Sequence, residues 1–481
     1  MPNYDYDIGI LGGGAAGLTI AAGAAQLGAR TLLIEKEQEL GGDCLHFGCV
    51  PSKTLIKTAN LYHMMKKARD FGLPALDVKP VDYADIVHRI QSVIGEIQKQ
   101  DSEARFCKLG AKVEFGYAFF RDEHSVLLNG KTLSAKTWVI ATGSSPSVPP
   151  ISGLDKISFI TNKEVFALPE LPASLIIIGG GPIGIEMAQA FCRLGSRVSV
   201  VQRGKQILSK EDADMAGDIM NIMAGEGVIF HLNASIVGAR EIDGQKEIVI
   251  KKADKTINLR AKTVLIATGR DANLQCLGLE EIGVEFERKG LKLDKRLRTS
   301  HTHIYAAGDV TGDFQFTHAA GYEGGVVLSN AIFHLPRKVD YTFFPWCTYT
   351  DPELACIGMN EKMANEAGLQ YSVCVEEFKD NDRSLAEGEK AGKIKMLLHT
   401  GEKLLGVQIL GPHAGDLLSE WVAVMNGHVR LSTVASSVHP YPTLGEINKK
   451  VVSDLFARKI FSERMRKGLK LLFNLKGRAC G

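Results

Sequence analysis

The stretch Asp7–Gly17, DIGILGGGAAG, decides the fold of this 481-residue chain. Its apolar run is typical of a short buried strand, and the alanine-rich run that follows favours a helix. The glycines of the Gly-x-Gly-x-x-Gly pattern between the two elements are Gly12, Gly14 and Gly17. This spacing lets the backbone and the helix N-terminus approach a pyrophosphate. A second strand, 31–34, ends at Glu35, which can accept hydrogen bonds from a ribose, so the sequence predicts a dinucleotide site here.

The chain repeats this pattern after another apolar strand at 175–178. The glycines of the repeat are Gly179, Gly181 and Gly184. Its second strand ends at Gln202, at the spacing that Glu35 has in the first copy, and Arg203 and Lys205 follow. A carboxylate there would repel the 2′-phosphate of NADPH, whereas an amide beside two cations accepts it. The repeat therefore predicts a nicotinamide site that prefers NADPH, with NADH as the alternative cofactor and a solvated basic loop as the non-functional interpretation.

Between the two copies lies Gly41–Lys53, GGDCLHFGCVPSK, in which Cys44 and Cys49 are five positions apart. Pro51 suits the first turn of a helix, so Cys49 is predicted at or near a helix N-terminus. Unpaired N–H groups and the helix dipole lower a thiol pKa there and favour the reactive thiolate. The spacing alone leaves open a redox pair, a structural disulfide or two buried thiols.

Three later segments carry further candidates for cofactor binding. Ala-Thr-Gly occurs at 141–143 and again at 267–269, each time after an apolar strand. A strand at 304–307 leads into Gly-Asp, which presents a carboxylate to a cofactor hydroxyl, and a helix is predicted to start within 316–320. The positive end of that helix would face an anionic cofactor. The candidates in these segments are Thr142, Gly143, Gly269, Arg270, Asp309 and His318, the last with packing or capping as its alternative role.

Composition limits the class of protein. The formal net charge is +2, no run of 18 apolar residues occurs, and the nine cysteines are scattered. These features argue against a nucleic-acid partner, a membrane-spanning helix and a secreted disulfide scaffold. With no export segment before the first strand, they predict a cytoplasmic protein of three or four domains.

The segment Phe456–Arg478 differs from the rest of the chain because it holds eight Lys or Arg residues against one acid, Glu463. Apolar residues are interspersed among these cations. A basic amphipathic tail of this kind predicts a peripheral contact with the inner face of the membrane. The alternative is a helix packed on a dimer with its basic face in water.

Taken together, these segments resemble the FAD-dependent pyridine nucleotide–disulfide oxidoreductases, which include dihydrolipoamide dehydrogenase, glutathione reductase and mercuric reductase. The likeness covers about residues 1–450 and rests on the two glycine patterns, the cysteine segment, the Ala-Thr-Gly and Ala-Gly-Asp segments and Pro-Thr-x-x-Glu at 442–446, all in family order. It implies an α/β fold with two Rossmann-like dinucleotide-binding domains and a C-terminal α+β dimerisation domain. The expected boundaries are 1–150 with 271–342 for FAD binding, 151–270 for NAD(P) binding, 343–455 for dimerisation and 456–481 for the tail.

The resemblance also implies roles for single residues. Those expected to hold FAD, besides the first glycine pattern, are Glu35 and Asp309. Cys44 and Cys49 would form the redox-active disulfide that accepts electrons from NADPH by way of FAD, and Lys53 and Glu186 would pair beside the flavin. A homodimer is expected, in which the 442–446 loop of one subunit completes the active site of the other.

Two departures from the family pattern bear on the substrate. The family carries a histidine before Pro-Thr as general acid–base, oriented by the glutamate that matches Glu446, but Tyr441 stands there and His439 lies two residues earlier. A tyrosine with an ordinary pKa of about 10 is a poorer base at neutral pH than imidazole. Mercuric reductases also carry a tyrosine here, and they end in two adjacent cysteines, of which this chain retains Cys480.

The preferred interpretation is a mercuric reductase-like enzyme that passes electrons from NADPH through FAD to a thiophilic metal ion or a disulfide substrate. Cys44, Cys49 and Cys480 would be transient ligands of the metal, since thiolates bind soft metals without a proton carrier. For a disulfide substrate, Tyr441 or His439 would have to move the proton. The alternatives are a dihydrolipoamide dehydrogenase-like enzyme that oxidises a dithiol carrier with NAD⁺, and a membrane-docked flavoprotein subunit of an electron-transfer assembly.

Overall fold

The computed structural model describes residues 3–477 and residue 479, apart from the side chain of Lys459. The chain divides into two compact units. The first is formed by Met1–Ala68, Pro74–Lys205 and Glu226–Val339, and the second by Arg69–Leu73, Gln206–Gly225 and Asp340–Gly481. Residues 206–225 thus join the second unit, although they lie inside the predicted NAD(P)-binding segment 151–270.

The first unit contains a sheet of seven strands. Its parallel strands are Ala111–Phe115, Thr31–Glu35, Tyr6–Leu11, Lys131–Ile140 and Ile304–Ala306. Two antiparallel strands, Ser125–Leu128 and Ala118–Asp122, extend the sheet beyond the first half of Lys131–Ile140. Every residue of Thr31–Glu35 is buried, which explains its continuous apolar run.

The helices of this unit are Ala15–Gln26, Gly42–His46, Cys49–Lys66, Tyr83–Gln98, Glu103–Leu109, Pro182–Leu194 and Thr317–Ala331. Helix Ala15–Gln26 packs closely against Thr317–Ala331 because both carry small residues at the contact. A Cβ atom at Gly23 would lie 2.4 Å from a Leu328 methyl group, and one at Gly324 would lie 3.2 Å from Thr19. The small residues at this contact therefore allow the two helices to pack closely.

A second parallel sheet in the first unit repeats the topology at the start of the chain. Its strands, in spatial order, are Ile229–His231, Arg197–Val201, Ser174–Ile178 and Thr263–Ile266. The smaller sheets are the antiparallel set Ser235–Ile242, Gln245–Lys252 and Lys255–Ala261, the pair Ser144–Pro146 with Arg270–Ala272, and the pair Phe286–Glu287 with Gly290–Leu291. The two parallel sheets agree with the predicted pair of Rossmann-like domains.

The second unit is built on one antiparallel sheet. Its strands, in spatial order, are Pro345–Thr348, Glu353–Gly358, Leu404–Gly411, Lys393–His399 and Tyr371–Glu377. Its helices are Ala213–Gly225, Glu361–Glu366, Asp382–Glu387, Ala414–Asn426, Leu431–Ser436, Glu446–Ile460 and Glu463–Phe473. Short 3₁₀ helices in the described part of the chain are Ala68–Phe71, Leu154–Lys156, Val165–Ala167, Asp309–Thr311, Phe378–Asp380 and Thr400–Glu402.

The start of the basic tail differs from the sequence-based boundary. Helix Glu446–Ile460 runs through residue 456, where the tail was predicted to begin, and Ile447, Val451 and Val452 of this helix are buried in the core of the second unit. The part of the tail that belongs to a separate helix therefore starts after Ile460, at Glu463. Within the part of the chain that the structure describes, no helix has both the length and the apolar content needed to span a membrane.

A cluster of ion pairs around the buried Lys395 joins several elements of the second unit. The ammonium group of Lys395, whose side chain is 2% exposed, lies 2.7 Å from Asp212 and 2.8 Å from both Asp214 and Glu361. Burial acts to lower the Lys395 pKa, but the hydrogen bonds to these carboxylates outweigh it and raise the pKa above its ordinary value. Asp212 also accepts a hydrogen bond from the Gln408 amide at 2.6 Å. The strand that carries Lys395 is thereby joined to the segment that precedes helix Ala213–Gly225.

Candidate functional site

The two redox candidates lie on consecutive helices. Cys44 lies within the short helix Gly42–His46, and Cys49 is the first residue of the next helix. A Cβ atom at Gly48 would lie 2.8 Å from the Asp43 carbonyl oxygen, so the sharp turn between the helices requires glycine. Both cysteines are free thiols in this structure. The prediction that Cys49 stands at a helix N-terminus is confirmed.

The surroundings of the two sulfur atoms separate their pKa values. The pKa of Cys49 is lowered to about 6, chiefly because the Cys44 thiol donates a hydrogen bond to its sulfur. Burial opposes this shift, whereas the Thr317 hydroxyl, 3.5 Å from Cys49 Sγ, and the ammonium group of Lys53 reinforce it. The pKa of Cys44 is raised by its hydrogen bond to Cys49, by burial and by the nearby negative charge. At neutral pH the pair therefore holds one proton and one charge, and Cys49 is the thiolate.

The predicted pairing of Lys53 with Glu186 is present in the structure. The Lys53 Nζ atom lies 2.8 Å from Glu186 Oε2, and the Glu186 side chain is 6% exposed. Lys53 stands one helical turn beyond Cys49, and Glu186 belongs to the helix Pro182–Leu194 that follows the second glycine pattern. The ion pair thus connects the redox helix with the second nucleotide-binding region and keeps a cation near the Cys49 thiolate.

The first glycine pattern has the geometry of a phosphate cradle. Gly12 has φ +113°, and a Cβ atom there would lie 2.2 Å from the Ala141 carbonyl oxygen. A Cβ atom at Gly17 would lie 1.8 Å from the Gly12 carbonyl oxygen. Near Gly14, in contrast, the closest atom to such a Cβ is Gly42 Cα at 3.9 Å. The outer glycines are therefore required by the turn itself, whereas the space at Gly14 stays open for a ligand at the helix N-terminus.

The Glu35 carboxylate is held beside this cradle by the backbone. Its Oε2 atom accepts the Gly13 N–H at 2.6 Å, and its Oε1 atom accepts the Glu37 N–H at 2.9 Å. Carboxylate oxygens can accept more than one hydrogen bond, so both oxygens remain able to receive a ribose hydroxyl. The open cradle and the fixed acid fit the adenosine diphosphate half of FAD.

Asp309 lies in a polar cluster that the sequence only partly anticipated. Its Oδ2 atom accepts the Ser144 hydroxyl at 2.5 Å and lies 3.7 Å from Arg270 Nε. The same arginine lies 3.0 Å from the carboxylate of Asp43, the residue before Cys44. Burial raises the pKa of Asp309, and the Ser144 hydrogen bond and the Arg270 charge counteract that rise. A partly buried carboxylate with so few donors fits a cofactor hydroxyl, and Arg270 connects it with the redox segment.

The first Ala-Thr-Gly segment forms a turn whose hydroxyl is already engaged. Thr142 Oγ1 donates to the Asn273 carbonyl oxygen at 2.7 Å, and the Asn273 side chain donates back to the Thr142 carbonyl oxygen at 2.9 Å. Gly143 has φ +70°. Thr142 therefore joins two chain segments by hydrogen bonds, a role that the sequence did not indicate.

His318 lies in the first turn of helix Thr317–Ala331, as predicted, with its ring 5.3 Å from that of Phe316.

The second glycine pattern reproduces the geometry of the first. Gly179 has φ +115°, and a Cβ atom there would lie 2.2 Å from the Ala267 carbonyl oxygen. A Cβ atom at Gly184 would lie 2.1 Å from the Gly179 carbonyl oxygen, whereas Gly181 has open space. Gly269, in the second Ala-Thr-Gly segment, has φ +130°. These residues fit a second dinucleotide at the N-terminus of the following helix.

Gln202 takes the structural place that Glu35 has in the first copy. Its Oε1 atom accepts the Gly180 N–H at 3.1 Å, as Glu35 accepts that of Gly13. The neighbouring Arg203 is exposed. The residues at the end of this strand are therefore neutral or cationic, with a carboxamide where the first copy has a buried acid.

The C-terminal candidates lie in the second unit, and each is bound to a carboxylate. Tyr441 is 71% exposed, and its hydroxyl donates to Asp382 Oδ2 at 2.9 Å, which raises the Tyr441 pKa. The Nε2 atom of His439 lies 3.1 Å from Glu420 Oε1, and Glu420 Oε2 accepts the Asn448 amide at 2.9 Å. The structure therefore gives the tyrosine and the histidine different acidic partners.

Glu446 contacts neither of these side chains through a hydrogen bond. Its Oε2 atom accepts the Thr443 N–H at 3.4 Å, close to the start of helix Glu446–Ile460. The expected metal ligand Cys480 lies outside the described residues. Functional residues that the sequence did not single out are Asp43, Ser144, Asn273, Thr317, Asp382 and Glu420.

Comparison with known proteins agrees with this geometry. Residues 6–324 match the family model described as pyridine nucleotide-disulphide oxidoreductase, and residues 344–452 match the dimerisation domain of the same family. A dihydrolipoyl dehydrogenase of Bacillus subtilis (strain 168) is 34% identical over 447 residues, which cover 91% of this chain and 96% of the relative. A mercuric reductase of Bacillus cereus is 32% identical over 446 residues, which cover 92% of this chain and 70% of the relative.

A solved structure has the same fold. The Cu(II) complex of the HOCl-induced flavoprotein disulfide reductase RclA from Escherichia coli superposes with a TM-score of 0.85 at 26% identity, covering 94% of this chain and 100% of that one. The dimerisation domain implies a homodimer. From these matches, together with the cysteine pair and the two glycine cradles, the chain belongs to the pyridine nucleotide–disulphide oxidoreductases, FAD-dependent enzymes that use NAD(P)H.

Proposed function

We propose that this chain is an NADPH-dependent reductase whose cysteine pair passes electrons to a thiophilic metal ion, with Hg²⁺ as the reference substrate. The observation that carries the proposal is the state of the two proton-carrier candidates. The Tyr441 hydroxyl donates a hydrogen bond to Asp382, and His439 is paired with Glu420.

Tyr441, which stands where the family carries its histidine, is not prepared to accept a proton at neutral pH. The raised pKa of Tyr441 keeps its phenol protonated. His439 has its Nε2 atom against Glu420, and within the described part of the chain its Nδ1 atom is buried without a hydrogen-bond partner. Dithiol–disulfide exchange needs a group that receives and returns a proton, whereas a soft metal ion needs only thiolate ligands. The arrangement therefore favours a metal acceptor over a disulfide.

The cysteine pair suits a soft metal. Cys49 is already a thiolate, and a bound cation would lower the pKa of Cys44, so that its proton leaves and a second thiolate becomes available. When bound, FAD supplies the two-electron transfer between the nicotinamide cofactor and this sulfur pair. Lys53 and Thr317 stabilise the negative charge of the Cys49 thiolate. Arg270 and Asp309 lie between the redox segment and the residues expected to hold FAD.

The choice of NADPH rests on the end of the second parallel strand. Gln202 accepts a backbone N–H without bringing a negative charge, and Arg203 and Lys205 supply exposed cations beside it. A 2′-phosphate would gain hydrogen bonds from these groups and meet no carboxylate at this position.

A dihydrolipoamide dehydrogenase is the second candidate function, and it is supported by the relatives of that name at 34% identity. In that role the enzyme would oxidise a dithiol with NAD⁺, and Tyr441 would have to exchange its proton despite the Asp382 carboxylate. The Cu(II) complex of RclA adds Cu²⁺ to the metals worth testing.

One pair of assays separates the two functions. NADPH oxidation is followed at 340 nm with Hg²⁺ under excess low-molecular-weight thiol or with Cu²⁺ without added thiol, and NAD⁺ reduction is followed with dihydrolipoamide. We expect metal-dependent NADPH oxidation that Cys49→Ser abolishes. We expect dihydrolipoamide turnover to be at least about a hundredfold slower than this metal-dependent reaction, because general acid–base catalysis contributes at least that factor. Turnover of dihydrolipoamide with NAD⁺ but not of the metals with NADPH would refute the proposal.

A further inference from the structure

The C-terminal helix Glu463–Phe473 is well formed, but most of its apolar face is exposed, with only Gly468 and Leu469 half-buried. All eleven residues belong to the described part of the chain, and none of them is buried. The Ser462 hydroxyl caps the helix by accepting the Met465 N–H at 3.4 Å, and Asn474 ends it with φ +51°. Isolated helices of this length are marginal in water, so this helix needs a surface to become stable.

The two faces of the helix define what that surface must be. At 100° per residue, one face collects the apolar and small residues, which are Met465, Gly468, Leu469, Leu472 and Phe473. Leu472 and Phe473 are 75% and 68% exposed. The basic residues that occupy both edges and the opposite face are Arg464, Arg466, Lys467 and Lys470, against one acid, Glu463.

We propose that this helix binds an anionic lipid surface, lying in the interface with its apolar face in the acyl boundary. Arg464 and Arg466 flank the apolar face on opposite sides, so an occupant must offer an apolar strip bordered by negative charge on both sides. The interface of an anionic bilayer has that composition. A second copy of the helix would instead bring the same excess of positive charge against the first. The inference is independent of the metal specificity proposed above.

The test uses the full-length holoenzyme and vesicles. Co-sedimentation is measured with phosphatidylcholine alone and with phosphatidylcholine containing about one-third phosphatidylglycerol, at low and high salt. We expect binding to the anionic vesicles only, and weakening of that binding by salt. Leu472→Ser is expected to lower the affinity at least about tenfold, since it removes a buried apolar side chain. Leu471→Ser is the matched control, because Leu471 is 85% exposed but faces the basic side, and it should change affinity less than about twofold.

Three outcomes would overturn the proposal. They are equal binding to neutral and anionic vesicles, equal effects of the two serine variants, and absence of vesicle binding. If vesicle binding is absent and Leu472→Ser alters the oligomeric state measured by light scattering, the apolar face belongs to a contact with a second copy of the chain. Both variants should retain bound FAD and NADPH oxidation, which separates a docking defect from a folding defect.

Discussion

Replacing Cys44 by alanine tests how the structure divides charge between the two sulfur atoms. The Cys44 thiol is the largest contributor to the lowered pKa of Cys49, and alanine removes this donor without adding a charge. The Thr317 hydroxyl and the Lys53 ammonium group remain in place, so the Cys49 pKa should rise but stay below the 9.0 of an unperturbed thiol.

The size of the change follows from the strength of one hydrogen bond to a charged group. Such a bond is worth about 1.5–3 kcal/mol, which corresponds to a rise of about 1–2 pKa units. From about 6, the Cys49 pKa is therefore expected to reach about 7–8 in Cys44→Ala. At pH 7 the thiolate fraction would fall from roughly nine-tenths to between about one-tenth and one-half.

The assay is the pH dependence of alkylation at Cys49. Reduced wild-type and Cys44→Ala holoenzymes are treated with iodoacetamide from pH 5 to 9, and the Cys49 peptide is quantified by mass spectrometry. Reading that peptide alone excludes alkylation of the exposed Cys107 and Cys276. Thr317→Val serves as a second variant, for which a smaller rise is expected. A Cys49 pKa in Cys44→Ala that stays within about 0.3 units of the wild-type value would show that the Cys44 thiol does not stabilise the thiolate.

Four further predictions concern other parts of the chain. Gln202→Glu should lower kcat/KM for NADPH at least about tenfold and spare NADH, because a carboxylate would face the 2′-phosphate; equal losses with both cofactors would contradict this. Tyr441→His should raise dihydrolipoamide oxidation at least about tenfold by restoring a proton carrier, and an unchanged rate would argue against that explanation. Lys395→Met should cost about 3–5 kcal/mol in urea unfolding, since it leaves the buried Asp212 carboxylate without its cation, whereas Lys393→Met should cost at most about 1 kcal/mol. Because hydrogen bonds hold the Asp212 pKa below 3.8 against the effect of burial, the stability that its charge adds should be lost as pH falls below about 4 in the wild type.

The fold was largely predictable because its determinants are local. A strand, a glycine turn and a helix follow one another within about twenty residues, and the structure places the strand at Tyr6–Leu11 and the helix at Ala15–Gln26. The helix predicted near 316–320 begins at Thr317. The sequence did not indicate that helix Glu446–Ile460 continues past the predicted boundary at 455, because the start of the basic segment does not coincide with the end of the helix.

The candidate site was predictable where the spacing within one element sets it, and not where distant loops meet. Cys49 at a helix N-terminus follows from neighbouring residues, and the Lys53–Glu186 pair was expected only from the family resemblance. The Thr317 hydroxyl lies 268 positions from Cys49 in the chain, and Tyr441 meets Asp382 across 59 positions. No local pattern marks such partners, because a threonine or an aspartate at a helix start is common in any sequence.

A comparison of the two glycine patterns distinguishes the side-chain feature that the turn requires from the one that would select the cofactor. Glu35 accepts the N–H of Gly13 at 2.6 Å, and Gln202 accepts that of Gly180 at 3.1 Å, so both copies require an oxygen acceptor at this position. Glutamate and glutamine supply that oxygen on side chains of equal length, and only the charge differs. Gln202→Glu should therefore keep the turn and change the electrostatic potential alone. A shift from NADPH to NADH in this variant would then have an electrostatic cause, and it would explain how one repeated turn serves two different dinucleotides.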